Sequence, residues 1–405
     1  MKILIPNATG PSNPGDQVML FSLLNLIKKS LPSATVTVHS TDAPQYKKFP
    51  YKLKNSLYSE VLLVEKNNFV RLMRLGGLLY YFFLLQLGLF KFIQHTNEIF
   101  SLIKDYQDAD LIIFVGGGCW RSRAGIKQIL NLALLLMVVQ IAKKSPSRKI
   151  MAPISFGPFA YDWQKRLSAR IMSNLDLVTA REKLSFDLMK KLGVRNLKLS
   201  CDHGLLMERN QEVTVQENLV GFTIRNWSKS PQVQRALEQA YVQSLAKLQQ
   251  KYNLTILPIV QVSLPGFPFE DDSLVVDRIY LALKEKEVSV LKPVIIGDVK
   301  NAMEVYSKLG LVLGMRMHSN IIAATQGVPF VAVSYEHKTE GIARQLSMDK
   351  FCLRFDQVNG KNLFEVLERA YQQRYLIKNV LSQRLKIIKS REEKRWLKIL
   401  KSRGL

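Results

Sequence analysis

The chain has 405 residues, 47% hydrophobic and 22% charged, a composition that excludes a disordered chain and supports two or three domains with real cores. Its 58 Lys and Arg against 33 Asp and Glu give a formal charge of +25, which points to an anionic partner: nucleic acid, a phosphorylated small molecule or an acidic membrane surface. Three scattered cysteines, Cys119, Cys201 and Cys352, exclude a CxxC or metal framework and suit a reducing compartment.

The apolar start predicts a strand over 2–6, stopped by Pro6 and too short for a signal peptide. Apolar spacing predicts a helix over 16–31, and alternation a strand over 34–39. The segment 69–93 raises the question of a membrane. Its uncharged core, 75–90, is shorter than the roughly 20 residues of a spanning helix. Arg71, Arg74 and Lys91 flank it and aromatic residues crowd it; an interfacial helix on an anionic surface and a buried core helix both fit. Next, 110–115 is a continuous apolar run of buried parallel-strand type, ending in Gly116-Gly117-Gly118. A helix over 126–144, strands over 149–156 and 177–180, and an amphipathic helix over 182–192 stopped by Gly193 complete a first series.

The polar stretch 208–217 lacks a periodic apolar face and reads as a linker. A second series follows, with strands over 219–224, 254–260, 293–296, 311–314 and 330–334 and helices between them. The tail, 376–405, is a long basic helix that can cross back over the first domain or lie on an acidic surface. The fold expected is α/β: two Rossmann-like doubly wound domains facing a cleft, in the GT-B-like manner. Their bounds are 1–207, with the basic apolar insert 69–93, and 218–375, followed by the helix 376–405. No G-x-G-x-x-G follows the first strand, so the dinucleotide fingerprint is missing.

Chemistry-bearing residues stand at expected strand ends. Asn13, Gly15 and Asp16 follow the first strand, where a glycine loop can present N–H groups to an anion and Asp16 can cap the helix or act on substrate. Gly116, Gly117 and Gly118 permit close approach of a ligand or another backbone. Arg181, Arg225 and Arg316 each end a strand, an arrangement suited to gripping a carboxylate or phosphate at two points. His318 and Ser319 lie just beyond Arg316, and Tyr335 and Lys338 follow the last clear strand. Each arginine alone is equally suited to a structural ion pair.

In order, these motifs resemble the polysaccharide pyruvyl transferase family over about residues 1 to 345. The correspondence is an N-x-G-D loop at Asn13–Asp16, a glycine triplet at Gly116–Gly118, an A-R-[DE]-x-x-S turn at Ala180–Ser185, Arg225, an R-x-H-[SA] motif at Arg316–Ser319, and Y-x-x-K at Tyr335–Lys338. One departure is Asp202-His203-Gly204, where the family carries Asp-Pro. The resemblance implies transfer of pyruvate from phosphoenolpyruvate to sugar hydroxyls of a cell-surface polysaccharide, or of its lipid-linked precursor, as a ketal. It implies a role in exopolysaccharide and cell-envelope biosynthesis.

The residues suit that chemistry independently. Phosphoenolpyruvate carries a carboxylate and a phosphate, which need fixed cations, and ketal formation needs a proton moved at each step. His318, Arg316 and Asp16 are the expected catalytic groups. Arg181, Arg225, Lys338, Tyr335, Ser319, Asn13, Gly15 and the glycine triplet are the expected substrate-binding groups. No metal and no cofactor are expected, and the site expected is cytoplasmic, with the protein peripheral on the inner face of the plasma membrane. Two alternatives stay open: a glycosyltransferase using a nucleotide sugar, and a non-enzymatic polyanion-binding protein. Nucleic acid is not an expected partner, since no helix-turn-helix, zinc-finger or RNA-recognition signature stands in the chain.

Overall fold

The computed structural model describes residues 1–402 except 12, 47, 64–66, 94, 96, 211, 228–229 and 265–269. The end of the expected tail helix, 403–405, and residue 211 of the expected linker lie outside the described residues. By internal contacts the chain forms two units. The first comprises Met1–Pro11, Met19–His203 and Lys394–Leu405, and the second Ser12–Val18 and Gly204–Glu393. The loop carrying Asn13, Gly15 and Asp16 therefore groups with the second unit although it follows the first strand of the chain.

The first unit carries an eight-stranded parallel sheet. Its strands are β1 (Lys2–Ala8), β2 (Thr35–Ser40), β3 (Lys52–Asn55), β4 (Leu111–Phe114), β5 (Gly117–Ser122), β6 (Arg148–Phe159), β7 (Leu177–Ala180) and β8 (Leu197–Leu199), ordered β3-β2-β1-β4-β6-β7-β8 with β5 also on β6. Its helices are α1 (Pro14–Ser30), α2 (Leu57–Leu62), α3 (Asn68–Gln86), α4 (Glu98–Asp108), α5 (Ile126–Lys143), α6 (Asp162–Met172) and α7 (Lys183–Lys191). The apolar run in β4 is buried at every position, as a parallel strand covered on both faces requires. Glu182 caps α7 by accepting from the Ser185 backbone N–H, and Gly193 at φ +76° lets the chain leave it.

The glycine triplet differs from the expected loop, because Gly117 and Gly118 open β5, which pairs with β6. Gly116 is required by packing: a Cβ there would lie 2.2 Å from the Pro153 carbonyl oxygen. Gly117 sits at φ +127°, a backbone region open to glycine.

The expected insert is α3, capped by Asn67, and a short 3-10 turn, Phe90–Phe92. Its two readings divide between its two faces. Leu78, Tyr81, Leu84 and Leu85 pack in the core, while Phe69, Leu72, Met73, Leu79, Tyr80 and Phe83 are exposed. Arg74 does not stand ready for lipid: its guanidinium donates to the carboxylate and carbonyl of Glu60 at 2.7 and 2.9 Å. Helix α5 is long and apolar enough to cross a membrane by length and composition. It is also the crossover between the parallel strands β5 and β6, with Val139, Ile141 and Ala142 fully buried.

The second unit carries six parallel strands: β9 (Gln216–Thr223), β10 (Thr255–Val260), β11 (Val294–Ile295), β12 (Leu309–Gly314), β13 (Phe330–Ser334) and β14 (Cys352–Arg354). Their order, β11-β10-β9-β12-β13-β14, is that of a dinucleotide-binding sheet, with a switch in direction between β9 and β12. The helices are α8 (Pro231–Tyr252), α9 (Ser273–Glu285), α10 (Val299–Ser307), α11 (Met317–Thr325), α12 (His337–Gln345), α13 (Gly360–Gln372) and α14 (Arg374–Lys401). Ser230, Pro231 and the left-handed Asn253 set the limits of α8.

The end of α14 groups with the first unit. Within that unit, Arg148 donates to the carbonyls of Ile399 and Ser402 at 2.6 and 2.7 Å, and Trp396 meets the edge of His203 at 4.6 Å. His203, which replaces the family's proline, is thus a core residue. Burial lowers its pKa to about 4, against a small opposing pull from Asp202.

Candidate active site

The switch point of the second sheet sets the site. Thr223 pairs with Gly314 across β9 and β12, so Arg225 and Arg316, each two residues further on, emerge as neighbours at the carboxyl edge. Arg316 caps α11, and His318 and Ser319 occupy its first turn. Asn320 donates to the Gly314 carbonyl at 3.1 Å and closes the turn.

The two arginines reach one carboxylate. Arg225 Nη2 lies 2.8 Å from Glu270 Oε2, and Arg316 Nη1 lies 3.9 Å from the same oxygen. Arg316 also donates to Asp272 and to the Glu270 carbonyl. Burial pushes the Asp272 carboxyl up, against the pull of Arg316 and of the Val262 N–H. Burial also disfavours the Arg316 charge, but Asp272, Tyr335 and Glu270 together outweigh it and raise the guanidinium pKa.

Arg225 donates to the Tyr335 hydroxyl at 3.2 Å and lies over the rings of Trp227 and Tyr335, at 4.9 and 5.1 Å from their centroids. Burial raises the Tyr335 phenol, but Lys338, Arg225 and Arg316 together outweigh it and hold it below the ordinary tyrosine value. Lys338 pairs with Glu336 at 2.5 Å. Each of Arg225, Arg316 and Lys338 therefore has a carboxylate partner, and an incoming anion must compete with it.

The start of α1 and Asn13 just before it complete this group. Gly15 packs on His318 so tightly that a Cβ would lie 2.3 Å from Nδ1. Asp16, in the first turn of α1, accepts from the Asn13 side chain at 2.8 Å. Asn13, Gly15, Asp16, Arg225, Arg316, His318, Tyr335 and Lys338 thus share one unit, although the expected bounds put Asn13, Gly15 and Asp16 in the first domain.

Two expected binding residues have structural surroundings instead. Ser319 is fully buried, donating to the Arg316 carbonyl at 2.5 Å and sharing a hydrogen bond with Thr223 at 2.9 Å. It fastens the turn that aims Arg316. Arg181 belongs to the first unit and is 1% exposed, bound to Asp202 at 2.7 Å and to Ser155 at 2.7 Å. Its charge is matched inside the core, because the Asp202 carboxylate has no solvent to turn to. Gly116–Gly118 also belong to the first unit.

Sequence reasoning missed Glu270 and Asp272. Their signal was the run Glu270-Asp271-Asp272, three consecutive carboxylates in a chain of charge +25.

Two doubly wound parallel sheets define a GT-B-like architecture, and solved proteins of that fold share it. UDP-GlcNAc 2-epimerase from Neisseria meningitidis, bound to UDP-GlcNAc, superposes with a TM-score of 0.57 at 9% identity, covering 94% of each chain. Anabaena Alr3699/HepE, in complex with UDP-glucose, gives 0.56 at 13% identity over 99% of this chain and 98% of that one. The model of the polysaccharide pyruvyl transferase family matches residues 13–337, and this chain is a member of that family. The amylovoran biosynthesis protein AmsJ of Erwinia amylovora is 24% identical over 281 residues, an alignment covering 63% of each protein.

Proposed function

We propose that this protein transfers pyruvate from phosphoenolpyruvate to two hydroxyls of a sugar in a cell-surface polysaccharide, or in its lipid-linked precursor. One vinyl CH₂ becomes a methyl group by gaining a proton, two C–O bonds form at the adjacent carbon, and the phosphate C–O bond breaks. Of the two hydroxyl protons lost, one balances the methyl group and one leaves with phosphate. Family membership supports the transfer, and one observation carries the donor assignment. Arg225 and Arg316 already converge on a carboxylate, that of Glu270, which is 37% exposed and replaceable by a ligand anion.

In this reading Arg225, Arg316 and Lys338 hold the carboxylate and phosphate. His318, backed by Gly15, moves the protons, with Asp16 next to Gly15 in the first turn of α1. The reaction needs no cofactor and no metal. The enzyme works at the cytoplasmic face of the plasma membrane, held there by the exposed apolar residues of α3.

Phosphate release tests the donor. Phosphoenolpyruvate should yield phosphate only when a saccharide acceptor is added. Turnover of a nucleotide sugar instead would favour the glycosyltransferase reading that the UDP-bound structural relatives keep in view. Salt-sensitive nucleic-acid binding with neither reaction would favour a polyanion-binding protein.

A further inference from the structure

A cavity of about 860 Å³ opens in the first unit at the carboxyl end of α3. Its floor is apolar: Phe90 and Phe100 stack at 4.8 Å beneath it. Its polar lining is cationic, with Lys91, Lys104 and Lys144 against the single carboxylate of Asp108. The Nε2 donor of Gln107, which also lines it, is buried without an acceptor among the described residues. Lys144 donates to the Gln86 carbonyl at 3.3 Å and so ties this end of α3 to α5. Next in sequence to the cavity residues Gly88 and Lys91 stand exposed Leu87, Leu89 and Phe92, the last 74% exposed. Exposed cations that line the cavity and exposed apolar side chains beside it complement an amphiphile with an anionic head.

We infer that this cavity takes the phosphate headgroup of a membrane lipid, with its hydrocarbon chains beside the exposed face of α3. The inference rests on the membrane-surface reading above and is independent of the donor and of the transfer reaction. It adds to that reading a built headgroup site, distinct from a diffuse attraction between a basic protein and a negative surface.

Sedimentation of the full chain with vesicles tests it. Three compositions are compared: phosphatidylcholine alone, and phosphatidylcholine with phosphatidic acid or with phosphatidylserine at matched charge. Phosphatidic acid vesicles, which present a phosphate monoester, should retain the most protein. Lys91→Gln/Lys104→Gln keeps the Lys144 bond and should lower that retention by about five-fold per charge, about 25-fold in all. Its melting curve should match wild type, since both lysines are exposed. Leu79→Ser/Phe83→Ser should weaken binding to every vesicle while keeping the preference for phosphatidic acid. Equal retention on both acidic vesicles, or unchanged retention of the lysine variant, would overturn the headgroup site alone. No retention of wild type on any vesicle would overturn the membrane reading with it. Calorimetric binding of inorganic phosphate at these lysines, without retention on phosphatidic acid vesicles, would overturn the lipid in favour of a soluble anion.

Discussion

Asp272 grips the guanidinium of Arg316 through three hydrogen bonds of 3.1, 3.0 and 2.6 Å, with the carboxylate fully withdrawn from water. The pair joins the loop after β10 to the turn after β12, so the arginine proposed to hold the donor is aimed by a residue outside every recognised motif. Asp272→Asn takes the nearest carboxylate from a largely buried cation, leaving only Glu270 at 3.9 Å among the described residues, and should cost about 3–5 kcal/mol in a urea melt. Arg316→Lys keeps the charge but loses the two-point fork, and phosphoenolpyruvate binding should weaken by about 1.5–3 kcal/mol. Unchanged melts and unchanged donor affinity would remove Arg316 from the site.

Glu270 pairs with Arg225, and the proposed donor would have to displace it. Glu270→Gln should tighten phosphoenolpyruvate binding by up to about five-fold, the worth of a partly exposed ion pair. Arg225→Ala should weaken it by about 1.5–3 kcal/mol. Titration calorimetry measures both, and weaker binding in Glu270→Gln would show that the carboxylate supports the site instead of guarding it.

His318 and Gly15 form a second pair with opposite tolerances. His318→Gln keeps a hydrogen-bonding side chain but no titratable proton, and turnover should fall about 10²–10⁴-fold with the melt intact. Gly15→Ala drives a methyl group into the imidazole and should lower turnover by displacing it. If folded His318→Gln turns over at the wild-type rate, the residue only packs against the loop.

The ion pair of Arg181 and Asp202 should behave as core. Either single alanine substitution leaves a buried charge and should cost about 3–5 kcal/mol, while Arg181→Met/Asp202→Leu should recover most of it. Donor affinity per folded molecule should stay at the wild-type level in Arg181→Met/Asp202→Leu. Loss of affinity there would return Arg181 to the donor site.

His203 makes stability depend on pH. Unfolded, it takes a proton near 6.5; folded, burial against Trp396 holds its pKa near 4. Its contribution is fully present above about pH 6.5 and is lost as pH falls toward 4, about 3 kcal/mol over that window. Burial lowers the pKa of His39 as well, so the loss should shrink but not vanish in His203→Gln. Melts between pH 4 and 7 on both proteins check this.

The sequence by itself determined the two βα series and the places where chemistry emerges. Buried parallel strands are continuous apolar runs, and a charged residue directly after one, such as Arg225 or Arg316, must lie at the sheet's edge. Only the tertiary structure decided which partner each of those charges meets. Arg181 carries the same local signature as Arg316, yet its partner Asp202 lies 21 residues on and encloses it in the core. Asp272 lies 44 residues before Arg316 and leaves that guanidinium at an edge. Spacing along the chain also could not divide α3 into the face of Leu84 and Leu85 and the face of Leu79 and Phe83, because apolar residues occupy both. Which neighbours a side chain meets is set by how the crossovers pack, and the chain encodes that jointly through all its contacts.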